Sequence, residues 1–262
     1  MSACYELARM TWPEFAAARS HLRVALQPVG ATEQHGPHMT FETDTRIAHA
    51  LARRLAATVH PYAVVLPPFP LGISYHHLGF PGTLSVSEAS LHSVFIDVAR
   101  SLAQHGIRKL VFVNGHMGNM AGLSALVTRL RYEEGVQAAV MFYFNQASDR
   151  IAEHVKTPRW GHACEIEVSV ALELAPDTVR TDQVRPGAVK PLPYRFAGNA
   201  VPFSLQFPFP FHELTDNGAL GDARQATLEA GQAIAALAVE RAAQFLRDFL
   251  GQDGGMDEDS FR

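Results

Sequence analysis

An α/β fold, with a mainly parallel sheet covered by helices on both faces, is what this 262-residue sequence predicts. Short apolar runs at 23–29, 62–66, 109–113 and 136–144 alternate with longer segments whose apolar residues return every three or four positions. The runs are short and apolar enough to be buried strands, and the first and third lead straight into glycine and ligand-type polar residues. Ligands in such sheets collect beyond the carboxyl ends of the strands, so the chemistry is expected there.

Taken in order, residues 1–22 include a short helix, with Thr11-Trp12-Pro13-Glu14 as its cap and first turn. Strand 23–29 ends at Gly30. A helix then runs from Asp44 to Val59 with Ile47, Leu51 and Leu55 on one stripe. Strand 62–66 is ended by Pro67-Pro68, and residues 67–87, rich in Gly, Pro and aromatics, read as a long loop over the same sheet edge. Ser87 caps a helix that buries Leu91, Val94, Phe95, Val98 and Leu102, and Gly106 closes it. Strand 109–113 runs into Asn114-Gly115-His116-Met117-Gly118-Asn119, followed by a helix to Glu134 that packs Leu123, Val127 and Leu130.

After the fourth strand, residues 145–164 are mixed, and a helix from Glu165 to Leu174 buries Ile166, Val170 and Leu174. Residues 176–221 form a loop-rich arm whose aromatics at 203–211 suit a buried contact. An Ala-rich helix ends near Leu250, and the acidic residues 251–262 read as a disordered tail. Residues 1–250 are thus expected to be one domain.

Composition narrows the function. A hydrophobic content of 47% with 18% charged residues fits a globular chain that needs no staple, and a formal charge of −4 argues against a nucleic-acid groove or an anionic membrane surface. Cys4 and Cys164 are far apart in a chain without a secretory apolar segment, so no disulfide framework is expected and a reducing cytoplasm is. No apolar stretch reaches membrane-spanning length. Thirteen histidines against six tyrosines fit metal or proton chemistry without proving either.

The loop after the first strand carries the chemistry. Glu33 and His35, two apart in extended chain, point the same way before Gly36-Pro37 turns it, and Asp44 arrives at the head of a helix. A carboxylate, an imidazole and a second carboxylate at a strand's end are ligand types for a divalent metal. A Glu-x-His pair alone is commonly a solvated turn. His116, beyond the third strand, repeats the arrangement at the same sheet edge.

The stretches Val29-Gly30-Ala31-Thr32-Glu33-Gln34-His35-Gly36-Pro37-His38, Asp44-Thr45, Gly79-Phe80-Pro81-Gly82-Thr83-Leu84, Asn114-Gly115-His116-Met117-Gly118-Asn119 and Gly161-His162-Ala163-Cys164-Glu165-Ile166-Glu167 resemble, in order, the motifs of the creatininase family, the creatinine amidohydrolases and related deformylases and peptidases. The resemblance covers about residues 24–175. It implies a three-layer α/β/α sandwich, a homo-oligomer that is often hexameric, and two divalent metal ions per chain, zinc first, with manganese or iron as alternatives. Carried over by position, Glu33 and His116 bind one metal, His35 binds the other, Asp44 bridges both, and His162 matches the proton-transfer residue.

One departure matters. Creatininase itself has a glutamate for the second metal two residues after the histidine matched by His116, and here that position is Gly118. Glu165, three residues past His162, is expected to fill the gap, as the His-x-x-Glu form of other family branches suggests. Candidates for substrate contact are His38, whose alternative is to hydrogen-bond its loop, His77, which with His76 either lines the pocket or faces solvent, and Trp160. Cys164 reads as a packed thiol.

The function these residues imply is hydrolysis of a C–N amide bond in a small molecule, a cyclic amide, a formamide or a short peptide-like amide, by water activated between two metals. A non-catalytic metal-binding or scaffold protein of the same fold is the alternative, and Gly118 is its only mark. A phosphate loop at residues 114–118 is disfavoured, because it has neither a G-x-G-x-x-G pattern nor a P-loop lysine.

Overall fold

Five parallel strands lie at the centre of the computed structural model, which describes residues 5–191 and 208–251. In chain order they are β1 (Tyr5–Glu6), β2 (Val24–Val29), β3 (Ala63–Val65), β4 (Lys109–Asn114) and β5 (Gln137–Phe142), and their spatial order is β1-β3-β2-β4-β5. The helices are α1 (Trp12–Ala18), α2 (Thr43–Ala57), α3 (Glu88–Gln104), α4 (Met120–Glu133), α5 (Tyr143–Gln146), α6 (Ser148–His154), α7 (Glu165–Leu174), α8 (Phe211–Leu214) and α9 (Leu228–Gly251). Cys4, residues 203–207 of the aromatic arm and the acidic residues from Gln252 onward lie outside the described residues.

Alternate residues of each strand feed two cores. On one face Leu26, Val65, Val111 and Val113 meet Ile47, Leu51 and Leu55 of α2, Ile166 and Val170 of α7, and Ile234 and Leu246 of α9. On the other, Ala25, Val64, Leu110 and Phe112 meet Leu91, Phe95 and Leu102 of α3 and Leu123, Leu126 and Leu130 of α4. Helices on both faces of a parallel sheet make the expected three-layer α/β/α sandwich. No helix among the described residues is long and apolar enough to cross a membrane.

The chain leaves β2 for β3 on one side and returns to β4 on the other. Beyond the carboxyl ends of β2 and β4 is therefore the crevice where connections diverge, the place such sheets bind ligands. Two glycines let α2 reach it. A Cβ on Gly30 would stand 2.4 Å from the Thr45 backbone, and one on Gly115 would stand 2.2 Å from the Asp44 carbonyl. Neither strand end admits a side chain there, so the first turn of α2 lies against both.

Several expectations shift in detail. Val94 is 40% exposed, because the buried stripe of α3 runs through Leu91, Phe95, Ala99 and Leu102. The strand expected to reach residue 144 stops at Phe142, where Tyr143 starts α5, and α6 lies within the stretch read as mixed. Leu174 is half-buried.

The packing of α7 on α9 is close enough to test. A Cβ on Gly231 would lie 1.9 Å from the Ser169 carbonyl oxygen, so backbone must move to admit it. Gly231→Ala is expected to cost roughly 1–3 kcal/mol, read as a lower urea midpoint at unchanged slope.

Candidate metal centre

Glu33, His35, Asp44 and His116 meet in the crevice, each at least nine-tenths buried. Glu33 Oε1 is 3.1 Å from His116 Nδ1, His35 Nε2 is 3.1 Å from Asp44 Oδ1, and His116 Nδ1 is 3.4 Å from Asp44 Oδ2. Asp44 thus faces His35 with one oxygen and His116 with the other.

The rings are held from behind. His35 Nδ1 donates to the Glu33 carbonyl at 3.1 Å, and His116 Nε2 lies 3.2 Å from the Ile73 carbonyl and 3.3 Å from Ser74 Oγ. Each ring therefore turns its other nitrogen to the cluster, the usual arrangement of a metal-ligating histidine. Asn114 bonds both backbone groups of His116, and Asn119 donates to the Gly30 carbonyl while accepting from Ile73 N, which ties the two strand ends to the loop.

His162 joins from the segment before α7. Its Nε2 donates to the Gln34 carbonyl at 2.7 Å, leaving Nδ1 3.9 Å from Glu33 Oε1 and 3.8 Å from Glu167 Oε2. The next residue, Ala163, has φ +48°, a left-handed conformation costly for a residue with a Cβ. Its N–H donates to Glu167 and its carbonyl accepts from His38 Nε2 at 2.9 Å. His38, fully buried, clamps this loop, so of its two expected roles it has the loop-bonding one.

Glu165 does not take the place expected of it. Its Oε1 accepts from Lys156 N and Thr157 N at 3.1 and 2.9 Å, and its Oε2 accepts from Asp222 N at 3.1 Å. Those bonds aim it away from the cluster, at the segment before α7 and at Asp222. The carboxylate that reaches the cluster is Glu167, grouped with His35 and His162 with ligand atoms within 4.8 Å of one another. Gly118 leaves no room for a side chain, since a Cβ there would stand 2.3 Å from His116 Nε2 and 2.4 Å from the Ile73 carbonyl.

The remaining candidates divide. His77 is buried, with Nε2 3.5 Å from Glu33 Oε1, and His76 is half-buried within ligand distance of Glu33 and His116. Trp160 is not brought to the centre. It stacks on Phe144 at 6.1 Å and packs against the α2/α7/α9 core. Cys164 is fully buried, and burial first and then Glu167 push its thiol up to about 12, an inert group. Gln34, which the motif contained but no role was given, bridges His77, His162 and the Gly218 carbonyl.

Burial and the facing charges oppose each other throughout the centre. Burial opposes the charge on His35, yet Asp44 beside it wins and lifts the imidazole to about 10. Burial likewise opposes ionised Asp44 and Glu33, and the facing histidines hold both carboxyls below the usual range. Burial, outweighing the attraction of His35, raises Glu167 to about 7, and burial together with His35 drives His162 down to about 3. Glu33 Oε2 is buried without a hydrogen-bond partner, and Asp44 Oδ2 has only its long contact with His116 Nδ1. Buried carboxylate oxygens are seldom left so, and a divalent cation is the partner that this oxygen and imidazole set fits.

The family model of the creatininases, described as creatinine amidohydrolase, matches residues 8–246. A mycofactocin precursor peptide peptidase of Mycolicibacterium smegmatis is 35% identical over 90% of both chains. A creatinine amidohydrolase of Pseudomonas putida is 30% identical over 95% of this chain and 98% of its own. Two solved creatininases, one a manganese form and one a mutant of Zn–Zn type, superpose with TM-scores of 0.75 at 30% and 31% identity, each over 95% of this chain and 99% of theirs. A matching family model across nearly the whole chain, relatives of full length and a buried metal-type cluster at the expected sheet edge agree: the chain belongs to the creatininase family of metal-binding amidohydrolases.

Proposed function

We propose that this enzyme hydrolyses a C–N amide bond in a small molecule through two divalent metal ions, zinc first and manganese or iron as alternatives. The observation that carries the reading is the pair of buried carboxylates of Glu33 and Asp44, flanked by His35 and His116, in which Glu33 Oε2 lacks a hydrogen bond and Asp44 Oδ2 has only a 3.4 Å contact to His116. Glu33 and His116 would hold one ion, His35 and Glu167 the other, and Asp44 both. Such a pair lowers the pKa of a water and polarises an amide carbonyl.

The chain's own groups do the rest. Glu33, Asp44 and Glu167 turn a crevice closed to bulk water into one that accepts cations. Neutral His162, its Nε2–H spent on the Gln34 carbonyl, offers the Nδ1 lone pair to the cluster. It can take a proton from the attacking water and hand it to the departing nitrogen. His162→Asn is expected to lower kcat by about 10²–10⁴-fold while metal content stays at the parent's level. An unchanged kcat would remove His162 from proton transfer.

Of a cyclic amide, a formamide and a short peptide-like amide, the last is favoured. Tyr75, Leu78 and Met117, next to His76, His77 and His116 in the chain, are 56%, 52% and 59% exposed and offer apolar surface to a side chain. Similarity to a peptidase supports the same choice. A homo-oligomer, as the family resemblance implies, and a cytoplasmic location, as the cysteine usage implies, go with this reading and are checked by light scattering and fractionation.

The test is metal analysis of the metal-replete protein beside a panel of creatinine, formamides and short peptides, with and without chelator. About two metals per chain and chelator-sensitive hydrolysis of one class support the proposal. A protein that binds less than one metal, or whose hydrolysis ignores chelation, overturns it.

A further inference from the structure

We propose that His77 is a catalytic residue, the hydrogen-bond donor to the carbonyl oxygen of the amide being cleaved, and that Gln34 is the positioning residue that fixes its proton on Nε2. The proposal rests on the hydrolase reading above and follows from counting protons around one buried amide.

Gln34 Oε1 accepts from Gly36 N at 2.9 Å, which settles which end of the amide is nitrogen. Its Nε2 has two hydrogens and three neighbours: the Gly218 carbonyl at 3.0 Å, His77 Nδ1 at 2.8 Å and His162 Nε2 at 3.1 Å. The Gly218 carbonyl can only accept, and it takes one hydrogen. His162 Nε2 lies 2.7 Å from the Gln34 carbonyl, which also only accepts, so that nitrogen carries a proton and cannot receive another. The second hydrogen of Gln34 therefore goes to His77 Nδ1. An imidazole that accepts at Nδ1 has its proton on Nε2.

This separates His77 from its neighbours. His35 and His116 have carbonyl acceptors behind them and so turn to the cluster the nitrogens that become lone-pair donors once a cation displaces their protons, as ligands do. His77 has a donor behind it and presents an N–H. It cannot ligate in that form, although it sits within ligand distance of Glu33 and His162. Its Nε2 is 3.5 Å from Glu33 Oε1, too long for a good hydrogen bond. A buried donor is thus aimed into the cluster and left free for the oxygen that gains negative charge when the amide carbonyl is attacked. The ring is held there by His162 at 4.4 Å and Phe211 at 4.2 Å between centroids, so little reorganisation is needed on reaction.

The experiment uses the zinc-loaded full chain labelled with ¹⁵N-histidine. Among the rings with a protonated Nε2 and a pyridine-type Nδ1, a set that includes His162 and His38, long-range proton–nitrogen spectra should lose one in His77→Gln, and in Gln34→Glu, which puts an acceptor behind Nδ1, the proton of that ring should move to Nδ1. Assayed on short peptides, His77→Leu is expected to keep the parent's zinc and KM and to lose about 10²–10³-fold in kcat, the cost of one oxyanion donor. His77→Gln, which restores an N–H, should recover at least tenfold of that loss. A pyridine-type Nε2 at His77, zinc lost from His77→Leu, or an unchanged kcat in that variant each overturns the assignment; with a parent that still binds zinc and hydrolyses peptides, the hydrolase reading stands. A parent with neither zinc nor hydrolysis overturns both.

Discussion

Asp44→Asn is expected to empty both halves of the centre and abolish hydrolysis. Asp44 faces His35 with Oδ1 at 3.1 Å and His116 with Oδ2 at 3.4 Å, so a single carboxylate serves both positions. An amide there keeps one acceptor, turns a nitrogen to one of the two cations and removes a negative charge from a site with almost no solvent. Removing one partner of a buried charge pair costs roughly 3–5 kcal/mol, which is a loss of affinity of about 150- to 4,000-fold. Metal per chain, read against zinc concentration, should fall for both ions together. Retention of one ion at parental affinity would mean that Asp44 serves only one side.

The metal-free protein gives the same substitution a second readout. His35 is raised from 6.5 to about 10, so its contribution to stability is complete below the unfolded value and is lost as pH rises toward 10. Asp44 is held below its ordinary 3.8, so its contribution is present above that value and is lost as pH falls. The pair therefore stabilises most between about pH 4 and 6.5. Urea midpoints of the metal-free parent should fall on both sides of that window, and Asp44→Asn should flatten the curve.

Much of this was legible in the sequence because it is local. Val24–Val29 and Lys109–Asn114 are buried along their whole length, and the ligand-type residues that follow them can only lie at the strands' carboxyl ends. Asp44 follows once Gly30 and Gly115 are seen as the positions that let a helix start there. What sequence could not show was set by docking. Trp160 is next to the Gly161-His162 motif, yet at Gly161 the backbone turns through φ +142°, and the indole goes to Phe144 while His162 goes to the centre. The two-residue strand β1 and the four-residue α5 are too short to have a period of their own.

The choice between Glu165 and Glu167 belongs to the same class, and it yields the sharpest experiment. Positions two apart on a helix point to nearly opposite sides, so only one of the two can face the cluster. Which one depends on the rotation of α7, and that is fixed by contacts far from the motif: Gly231 against the Ser169 carbonyl, and Ser169 Oγ accepting from Thr227 N at 2.9 Å. With α7 so turned, Glu167 faces His35 and His162, while Glu165 is satisfied by three backbone N–H groups. Glu167→Gln is therefore expected to lose one metal of the pair and most activity, keeping the ion held by Glu33 and His116. Glu165→Gln should keep both metals and lose stability instead. Its new NH₂ must oppose a backbone N–H, at a cost of about 1–3 kcal/mol, read as a lower urea midpoint. The opposite outcome, metal lost from Glu165→Gln and kept by Glu167→Gln, would mean that α7 turns when the cations bind and would exchange the two roles.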